Sequence, residues 1–303
     1  MKWMLLFCMM TSQVFAQKVK EDKKLSAQLH AIVKECSLDS VYKTGETFTE
    51  QVSVAVIQLG KKPLLGSVRS NRFIYPASMY KLYVAMEVLK QAGEGRLNLY
   101  APYVVRSPND VDRSREIGND PRPLLKAGDT VTIHYLLDLM ISRSDNSAAN
   151  CLIDIAGRPD INHTIDSLGW EGSEVTRKFL SRRLEDPGYD TIRGTQTSAV
   201  HFADMLYRIE TGKLISEKLS LQLKALLGGQ LDKSKLAAGL PGTAMYSHKT
   251  GWWSVYTHDA GIVEDGKTRY IIAVFTPVAE EKMNGRLQLL AQNIHALMKS
   301  RME

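Results

Sequence analysis

Apolar residues recur at helical spacing near both ends of the chain. Over residues 23–36 they lie three or four positions apart, as in an amphipathic helix, at Leu25, Leu29, Ile32, Val33 and Cys36. Residues 285–302 repeat this spacing at Leu287, Leu290, Ile294 and Leu297. Just inside the two segments the pattern becomes that of strands, with alternating Val52, Val54 and Val56 and an apolar run from Tyr270 to Phe275. Each end of the chain therefore predicts a helix beside a sheet.

The middle of the chain has a mainly helical pattern. Helices are predicted over Ser78–Gln91, which stops at Gly93, and over Ile133–Ile141, Ser147–Ala156, Thr197–Ile209 and Ser216–Leu227. We predict an α/β (α+β) fold, in which an antiparallel sheet is flanked by the N- and C-terminal helices and carries an inserted all-helical domain. The predicted alpha/beta domain comprises residues 17–76 and 232–303, and the all-helical domain residues 77–231. An active site is expected in the cleft between them.

Composition narrows the classes of function. The chain has 44% hydrophobic and 24% charged residues, as in an ordinary globular protein. Its net charge of +6 is not concentrated in a basic stripe, which argues against a nucleic-acid-binding protein. The histidines and cysteines lack metal-binding spacing, so no metal or other cofactor is expected. Cys36 and Cys151 are expected to be buried free thiols, and the protein a monomer.

The first 16 residues have the features of a signal peptide. Lys2 precedes the apolar run Trp3–Met10, and Val14 and Ala16 occupy the two positions that a signal peptidase reads. The run is shorter than the ~20 residues that a membrane-spanning helix needs. We therefore expect cleavage after Ala16 and a protein that is periplasmic or secreted, without a stable membrane anchor. A lipoprotein anchored through Cys8 is the less favoured alternative, because a bulky Phe7 precedes it.

A polar stretch from Arg106 to Pro123 breaks every periodicity. It is rich in arginine and aspartate and has prolines near both ends, which is typical of a surface loop. Two interpretations stay open at this point, a solvated excursion of the chain and a recognition element.

Ser78 and Lys81 form the first candidate site. Three positions apart on a helix, the two side chains share one face. The N-terminus of a helix favours a developing anion, which is what a serine attacking a carbonyl needs, and a lysine of lowered pKa can accept the proton of the serine. Ser-x-x-Lys alone is a weak signal, and an N-cap serine with a solvated lysine is the alternative.

Two further triplets strengthen the first. Ser144-Asp145-Asn146 lies between two predicted helices, where a hydroxyl can relay a proton and an amide can hold a substrate carbonyl. Lys249-Thr250-Gly251 opens a strand; lysine and threonine can bind a carboxylate, and Gly251 lets a substrate approach the strand edge. A helix N-cap and a turn between strands are the respective alternatives.

In this order the three motifs resemble those of the class A beta-lactamases and penicillin-binding proteins. The similarity extends over Ser144–Asn150 and over Ala238–Gly251. It implies an acyl-serine hydrolase whose substrate is a small-molecule beta-lactam. The implied roles are Ser78 as nucleophile, Lys81 in its activation, Ser144 as proton shuttle, Asn146 as ligand of the substrate's side-chain amide, Lys249 and Thr250 as carboxylate ligands, and the N–H groups of Ser78 and Trp252 as the oxyanion hole.

Deacylation separates the functions within this superfamily. Arg183-Leu184-Glu185 resembles the Arg-x-Glu loop of class A enzymes, so Glu185 is the candidate base that activates water. The alternative is a surface carboxylate paired with Arg182 or Arg183. Tyr189 stands where an asparagine usually helps to hold that water. A D-alanyl-D-alanine peptidase or related penicillin-binding esterase, and a beta-lactam-binding protein without turnover, therefore remain alternatives to a serine beta-lactamase.

Overall fold

The computed structural model describes residues 19–44, 49–112, 120–181, 184–185 and 191–302. The predicted signal peptide lies outside these ranges, as do Arg183 and Tyr189. The helices are α1 Lys23–Glu35, α2 Lys81–Gly93, α3 Ile133–Ser142, α4 Asn146–Ala156, α5 Arg158–Ser167, α6 Ala199–Glu210, α7 Glu217–Gly228 and α8 Glu280–Met302. None of the helices in these ranges has the length and apolar character needed to cross a bilayer.

A six-stranded sheet joins the two ends of the chain. Its strands are β1 Lys20–Glu21, β4 Ser53–Gln58, β5 Leu64–Val68, β10 Met245–Trp253, β11 Tyr256–Asp265 and β12 Thr268–Thr276, in the order β1-β5-β4-β12-β11-β10. Short two-stranded ladders lie elsewhere: β2 Tyr42–Lys43 with β3 Thr49–Glu50, β6 Phe73–Ile74 with β9 Thr197–Ser198, and β7 Pro102–Val104 with β8 Thr130–Thr132. The predicted fold class is confirmed, with β10 at one edge of the sheet.

The sheet departs from the prediction at its other edge. All pairs from β5 to β10 are antiparallel, whereas β1 runs parallel to β5. A parallel pair needs a long connection, and here α1 and β4 lie between the two strands in sequence. The apolar pattern of the two main strand segments could not reveal a two-residue edge strand.

The central strand β4 is buried on both faces. Val54 and Val56 pack with α1 and α8, whereas Ala55 and Ile57 belong to the core shared with α2 and its neighbours. The alternating valines that the sequence displays therefore form only one of the two buried faces of β4. Because helices cover both faces of the sheet, the intervening positions are apolar as well.

The helical predictions differ from the structure in three places. Ser78 lies in a 3₁₀ turn, Ala77–Tyr80, which precedes α2. Thr197 pairs in β9, and α6 begins only after the N-cap Ser198. Helix α5 was not predicted, because Pro159 near its start and its polar sequence resemble a loop; Pro is tolerated in the first turn of a helix. The boundaries of the two domains stay a prediction.

Candidate active site

The turn that carries Ser78 has a strained backbone. Ala77 has a φ of +47°, and the Met79 N–H donates to the Pro76 carbonyl at 3.1 Å. Because the 3₁₀ turn ends where α2 begins, Ser78 is only half-buried, whereas Lys81 at the first position of α2 is fully buried. Ser78 is thus partly exposed to solvent, whereas Lys81 lies within the protein.

Lys81 is surrounded by oxygen acceptors of the Ser144 motif. Its Nζ donates to the Ser144 carbonyl at 2.6 Å, to Asn146 Oδ1 at 2.7 Å and to Ser144 Oγ at 3.2 Å. Burial of a lysine is costly unless such partners replace its hydration. These contacts cross from α2 to the junction of α3 and α4.

Ser144 is the meeting point of two lysines. Its hydroxyl also accepts a hydrogen bond from Lys249 Nζ at 3.0 Å. The residue adopts a φ of +58°, in the left-handed region. The neighbouring Asp145 caps α4 through the Ala148 N–H and forms a buried ion pair with Arg143 at 2.8 Å. This rigid junction fixes the Ser144 hydroxyl between Lys81 and Lys249.

Strand β10 brings its Lys-Thr-Gly motif against the Ser78 turn. Lys249 is fully buried and also donates to the Thr250 carbonyl at 2.7 Å. A Cβ at Gly251 would lie 2.9 Å from the Pro76 carbonyl oxygen and 3.1 Å from the Met79 nitrogen, so only glycine permits this approach. Thr250 is nearly buried, whereas Trp252 is 50% exposed at the edge of the sheet.

The structure therefore brings together the three predicted motifs. Lys81, Ser144, Asn146 and Lys249 are linked by hydrogen bonds, and Gly251 packs on the turn of Ser78. Over the same described residues, no group of three or more His, Cys, Asp or Glu side chains is arranged to hold a metal ion.

His258, which sequence reasoning missed, holds the Ser78 turn to the sheet. Its Nε2–H donates to the Tyr75 carbonyl at 2.9 Å, and its Nδ1 accepts from the Thr276 N–H at 3.1 Å. These two bonds require the neutral imidazole, and burial lowers the pKa of His258 to about 4. His258 lies opposite Gly251 in the sheet, and this register is known only from the folded chain, so no sequence signal indicated the role.

A pH-dependent stability follows from this histidine. An unfolded histidine titrates near pH ~6.5, so the unfolded chain gains a proton as the pH falls and the folded His258 does not. The stability that His258 contributes is fully present above about pH 6.5 and is lost as the pH falls towards about 4. We expect His258→Gln to remove about 2 kcal/mol of the difference in unfolding free energy between about pH 7.5 and about pH 5.

Urea unfolding of both proteins at the two pH values measures this effect. Comparison with the wild type cancels the contribution of the half-buried His201 and the buried His248, whose pKa values burial also lowers. An unchanged pH dependence in His258→Gln would contradict the assignment.

Glu185 lies in a basic environment of its own. Its Oε1 accepts from the Lys178 N–H at 2.6 Å and from Arg158 Nη1 at 2.9 Å. Burial raises the pKa of Glu185, and the Lys178 hydrogen bond and the Arg158 charge oppose that rise. The side chain is 4% exposed. The alternative of a surface carboxylate does not fit this burial, and its pairing with Arg182 or Arg183 concerns residues outside the described ranges.

Phe179, from the same segment, lies against Lys81. The ring centroid is 4.2 Å from Lys81 Nζ, and the ring stacks on Tyr80 with a centroid distance of 5.0 Å. Asn150 of α4 fixes its backbone, because Asn150 Oδ1 accepts from the Phe179 N–H at 2.7 Å. An apolar ring thus occupies one side of the amine that is predicted to activate Ser78. No sequence signal indicated this contact.

The comparisons with known proteins identify the family of the chain. A family model described as Beta-lactamase enzyme family matches residues 37–296. The chain belongs to the beta-lactamase enzyme family. The sequence resemblance to the class A beta-lactamases and penicillin-binding proteins is thereby confirmed.

Similar proteins and solved structures cover most of the chain. Extended-spectrum beta-lactamase PER-1 of Pseudomonas aeruginosa is 28% identical over 229 residues, 71% of each chain. Among solved structures, PBP-A has a TM-score of 0.75 at 18% identity and covers 93% of this chain and 98% of its own. A beta-lactamase from Sphaerobacter thermophilus has a TM-score of 0.73 at 21% identity and covers 91% and 98%. At these identities the structures establish the fold of this beta-lactamase-family protein.

One departure from the class A pattern has a structural explanation. The arginine that often assists carboxylate binding after the Lys-Thr-Gly motif is absent, and Asp259 stands near that place. In this beta-lactamase-family chain Asp259 is fully buried and accepts hydrogen bonds from Tyr246 and the Leu236 N–H. Its carboxylate also contacts His248 Nδ1 at 2.9 Å. These contacts place Asp259 in the core between the sheet and the 3₁₀ turn Leu236–Gly239, which precedes β10.

Proposed function

We propose that this protein is a serine hydrolase that opens beta-lactams by acylation of Ser78, and that release of the acyl group is its slow step. The observation that carries the proposal is the Ser144 hydroxyl, which accepts hydrogen bonds from both Lys81 and Lys249 while Gly251 packs on the Ser78 turn. Three motifs that are distant in sequence thus contribute to one arrangement. An ordinary N-cap or a solvated lysine does not explain two buried lysines on one hydroxyl.

Acylation uses these groups in order. The Ser78 hydroxyl attacks the carbonyl carbon of the lactam amide, and its proton passes to Lys81 as the Lys81 ammonium gives up one of its own protons to Ser144. The ring C–N bond then breaks, an ester forms at Ser78 Oγ, and the ring nitrogen receives a proton through Ser144. A hydroxyl that accepts from two lysines directs its single hydrogen away from both of them, which suits such a transfer.

Binding involves the other predicted residues. Lys249 and Thr250 hold the carboxylate of the substrate, and Asn146 holds its side-chain amide. The N–H groups of Ser78 and Trp252 stabilise the oxyanion; this role needs only backbone, so the exposed indole of Trp252 does not conflict with it.

The surroundings of Lys81 and Glu185 favour slow deacylation. Glu185, the predicted water-activating base, already has one carboxylate oxygen held by Lys178 and Arg158. The Phe179 ring beside Lys81 supplies no group that can accept a proton. Hydrolysis as a serine beta-lactamase is therefore proposed to depend on Glu185 and to be inefficient.

Stopped-flow reaction with a chromogenic cephalosporin tests both steps. We expect a burst of about one product per enzyme, followed by a slow steady state. Ser78→Ala should abolish the burst. Glu185→Gln should leave the burst unchanged and slow the steady state by about tenfold, because one of its oxygens is already engaged.

Glu171→Gln serves as the matched control, since Glu171 is an exposed carboxylate that precedes Lys178 and Glu185 in the chain. Mass spectrometry of the intact protein identifies the acyl adduct at Ser78. A protein that forms no adduct with any beta-lactam would refute the proposed function.

A D-alanyl-D-alanine peptidase is the second candidate. The Phe179 contact and the structural similarity to PBP-A support it. A mutant of PBP-A that shares this fold was solved as an acyl-enzyme complex with penicillin G. Release of D-alanine from a D-Ala-D-Ala peptide, together with stable trapping by penicillin that Glu185→Gln does not alter, would favour this activity. Trapping without release of D-alanine would favour a beta-lactam-binding protein.

We also propose export. The signal-peptide features of residues 1–16 support cleavage after Ala16 and a periplasmic or secreted protein. The N-terminal sequence of the protein recovered from the bacterial periplasm or culture medium tests this.

A further inference from the structure

Asp112, in the polar stretch that begins at Arg106, contacts the site. It is 8% exposed, and its backbone N–H donates to Ser147 Oγ at 3.1 Å. Its carboxylate accepts two hydrogen bonds from Asn146, from the backbone N–H at 2.6 Å and from Nδ2 at 3.0 Å. Asn146 is the first residue of α4, where a backbone N–H has no partner within the helix and a carboxylate is favoured.

The two ends of the Asn146 amide have opposite environments. Oδ1 accepts from the Lys81 ammonium at 2.7 Å, and Nδ2 donates to the Asp112 carboxylate. A flipped amide would place its NH₂ group against the ammonium and its carbonyl against the carboxylate. Both contacts would then be repulsive, so Lys81 and Asp112 together fix one orientation.

This orientation leaves a defined donor for a ligand. Nδ2 carries two hydrogens, and Asp112 accepts one of them. Asn146 is partly exposed, whereas Asp145 and Ser147 on either side of it are buried. The second hydrogen of Nδ2 is therefore on a side chain that a bound molecule can reach, and it can be donated to a carbonyl oxygen.

We propose that Asp112 is a positioning residue that acts through Asn146 and gives the site its preference for substrates with a side-chain amide. This inference rests on the proposed function. Without the Asp112 charge the amide can rotate or flip, and the hydrogen bond to the substrate carbonyl weakens. Substrates that lack this carbonyl do not use the contact and should be little affected.

Acylation of Asp112→Asn by two penicillins tests the assignment. Benzylpenicillin has an acylamino side chain, and 6-aminopenicillanic acid has the same ring system without the acyl group. We expect the second-order rate constant of Ser78 acylation to fall about 10- to 100-fold for benzylpenicillin. For 6-aminopenicillanic acid it should fall less than about threefold.

Asp129→Asn is the control, because Asp129 lies after residues 106–123 and accepts from the Lys126 N–H, away from Asn146. Thermal unfolding shows whether each variant folds. If Asp112→Asn does not fold, Asp112→Glu, which keeps the charge but moves it by about one methylene, should lower the ratio of the two rate constants in the same direction. The ratio measured for a stably folded Asp112→Glu then decides the question: an unchanged ratio contradicts the role of Asp112.

The outcomes separate this inference from the proposed function. An equal decrease for both penicillins, or no change for either, overturns the role of Asp112 and leaves acylation of Ser78 intact. If the wild type is acylated by neither penicillin, the proposed function fails and the role of Asp112 fails with it.

Discussion

Phe179→Glu is expected to shorten the lifetime of the Ser78 acyl-enzyme by about 10²–10³-fold. The centroid of the Phe179 ring lies 4.2 Å from Nζ of Lys81, which follows the nucleophile Ser78 by three residues. Asn150 holds the backbone of Phe179 by a hydrogen bond. A carboxylate at this place can pair with Lys81 and accept a proton from a water that attacks the ester. Loss of the stacking on Tyr80 costs stability, by about 1 kcal/mol.

The lifetime is measured by mass spectrometry after the protein is acylated with penicillin and freed of excess reagent. Phe179→Gln is the matched control, because glutamine has nearly the shape of glutamate and cannot act as a base. Equal lifetimes for Phe179→Glu and the wild type would mean that the group beside Lys81 does not limit release. Faster release in both variants would show that the ring only excludes water.

Gly251→Ala is expected to slow acylation by about 10²-fold. The added Cβ would lie 2.9 Å from the Pro76 carbonyl oxygen and 3.1 Å from the Met79 nitrogen, both backbone atoms of the segment that carries Ser78. The segment or β10 must move apart to admit the methyl group. A displacement of this size separates the nucleophile from the strand that is proposed to hold the substrate.

Gly60→Ala provides the comparison for Gly251→Ala, because a Cβ at Gly60 meets no atom within 4 Å. The second-order rate constant of acylation and the midpoint of thermal unfolding are measured for both variants. Wild-type acylation in Gly251→Ala would show that the close contact is not required for the reaction.

The ends of the fold could be predicted well from the sequence. The four predicted apolar positions of α1 and Cys36, at its C-cap, are buried, as their spacing indicated, and β4 and β12 form a central antiparallel pair of the sheet. Cys36 and Cys151 are free and buried. These features depend on local periodicity, which a single sequence displays. Helix α5 was missed because its short apolar face, Ile161 and Ile165, is too sparse to give a periodic signal.

The chemistry was less predictable than the fold. Motifs indicated Lys81, Ser144 and Lys249, because nucleophilic catalysis needs particular residue types at particular spacings. Phe179 and His258 contact the site through tertiary packing, from segments whose own pattern carries no sign of that packing. For Glu185 the sequence suggested a role, and its contacts with Lys178 and Arg158 could be seen only in the folded chain.

The left-handed backbone of Ser144 affects how this protein can evolve. A non-glycine residue at a φ of +58° carries about 1–2 kcal/mol of strain, which glycine would relieve, while glycine raises the entropy of the unfolded chain by a similar amount. Glycine would, however, delete the hydroxyl that accepts hydrogen bonds from the buried Lys81 and Lys249, and each such bond to a charged group is worth about 1.5–3 kcal/mol. The stability of the fold and the proposed reaction therefore both favour a hydroxyl at position 144.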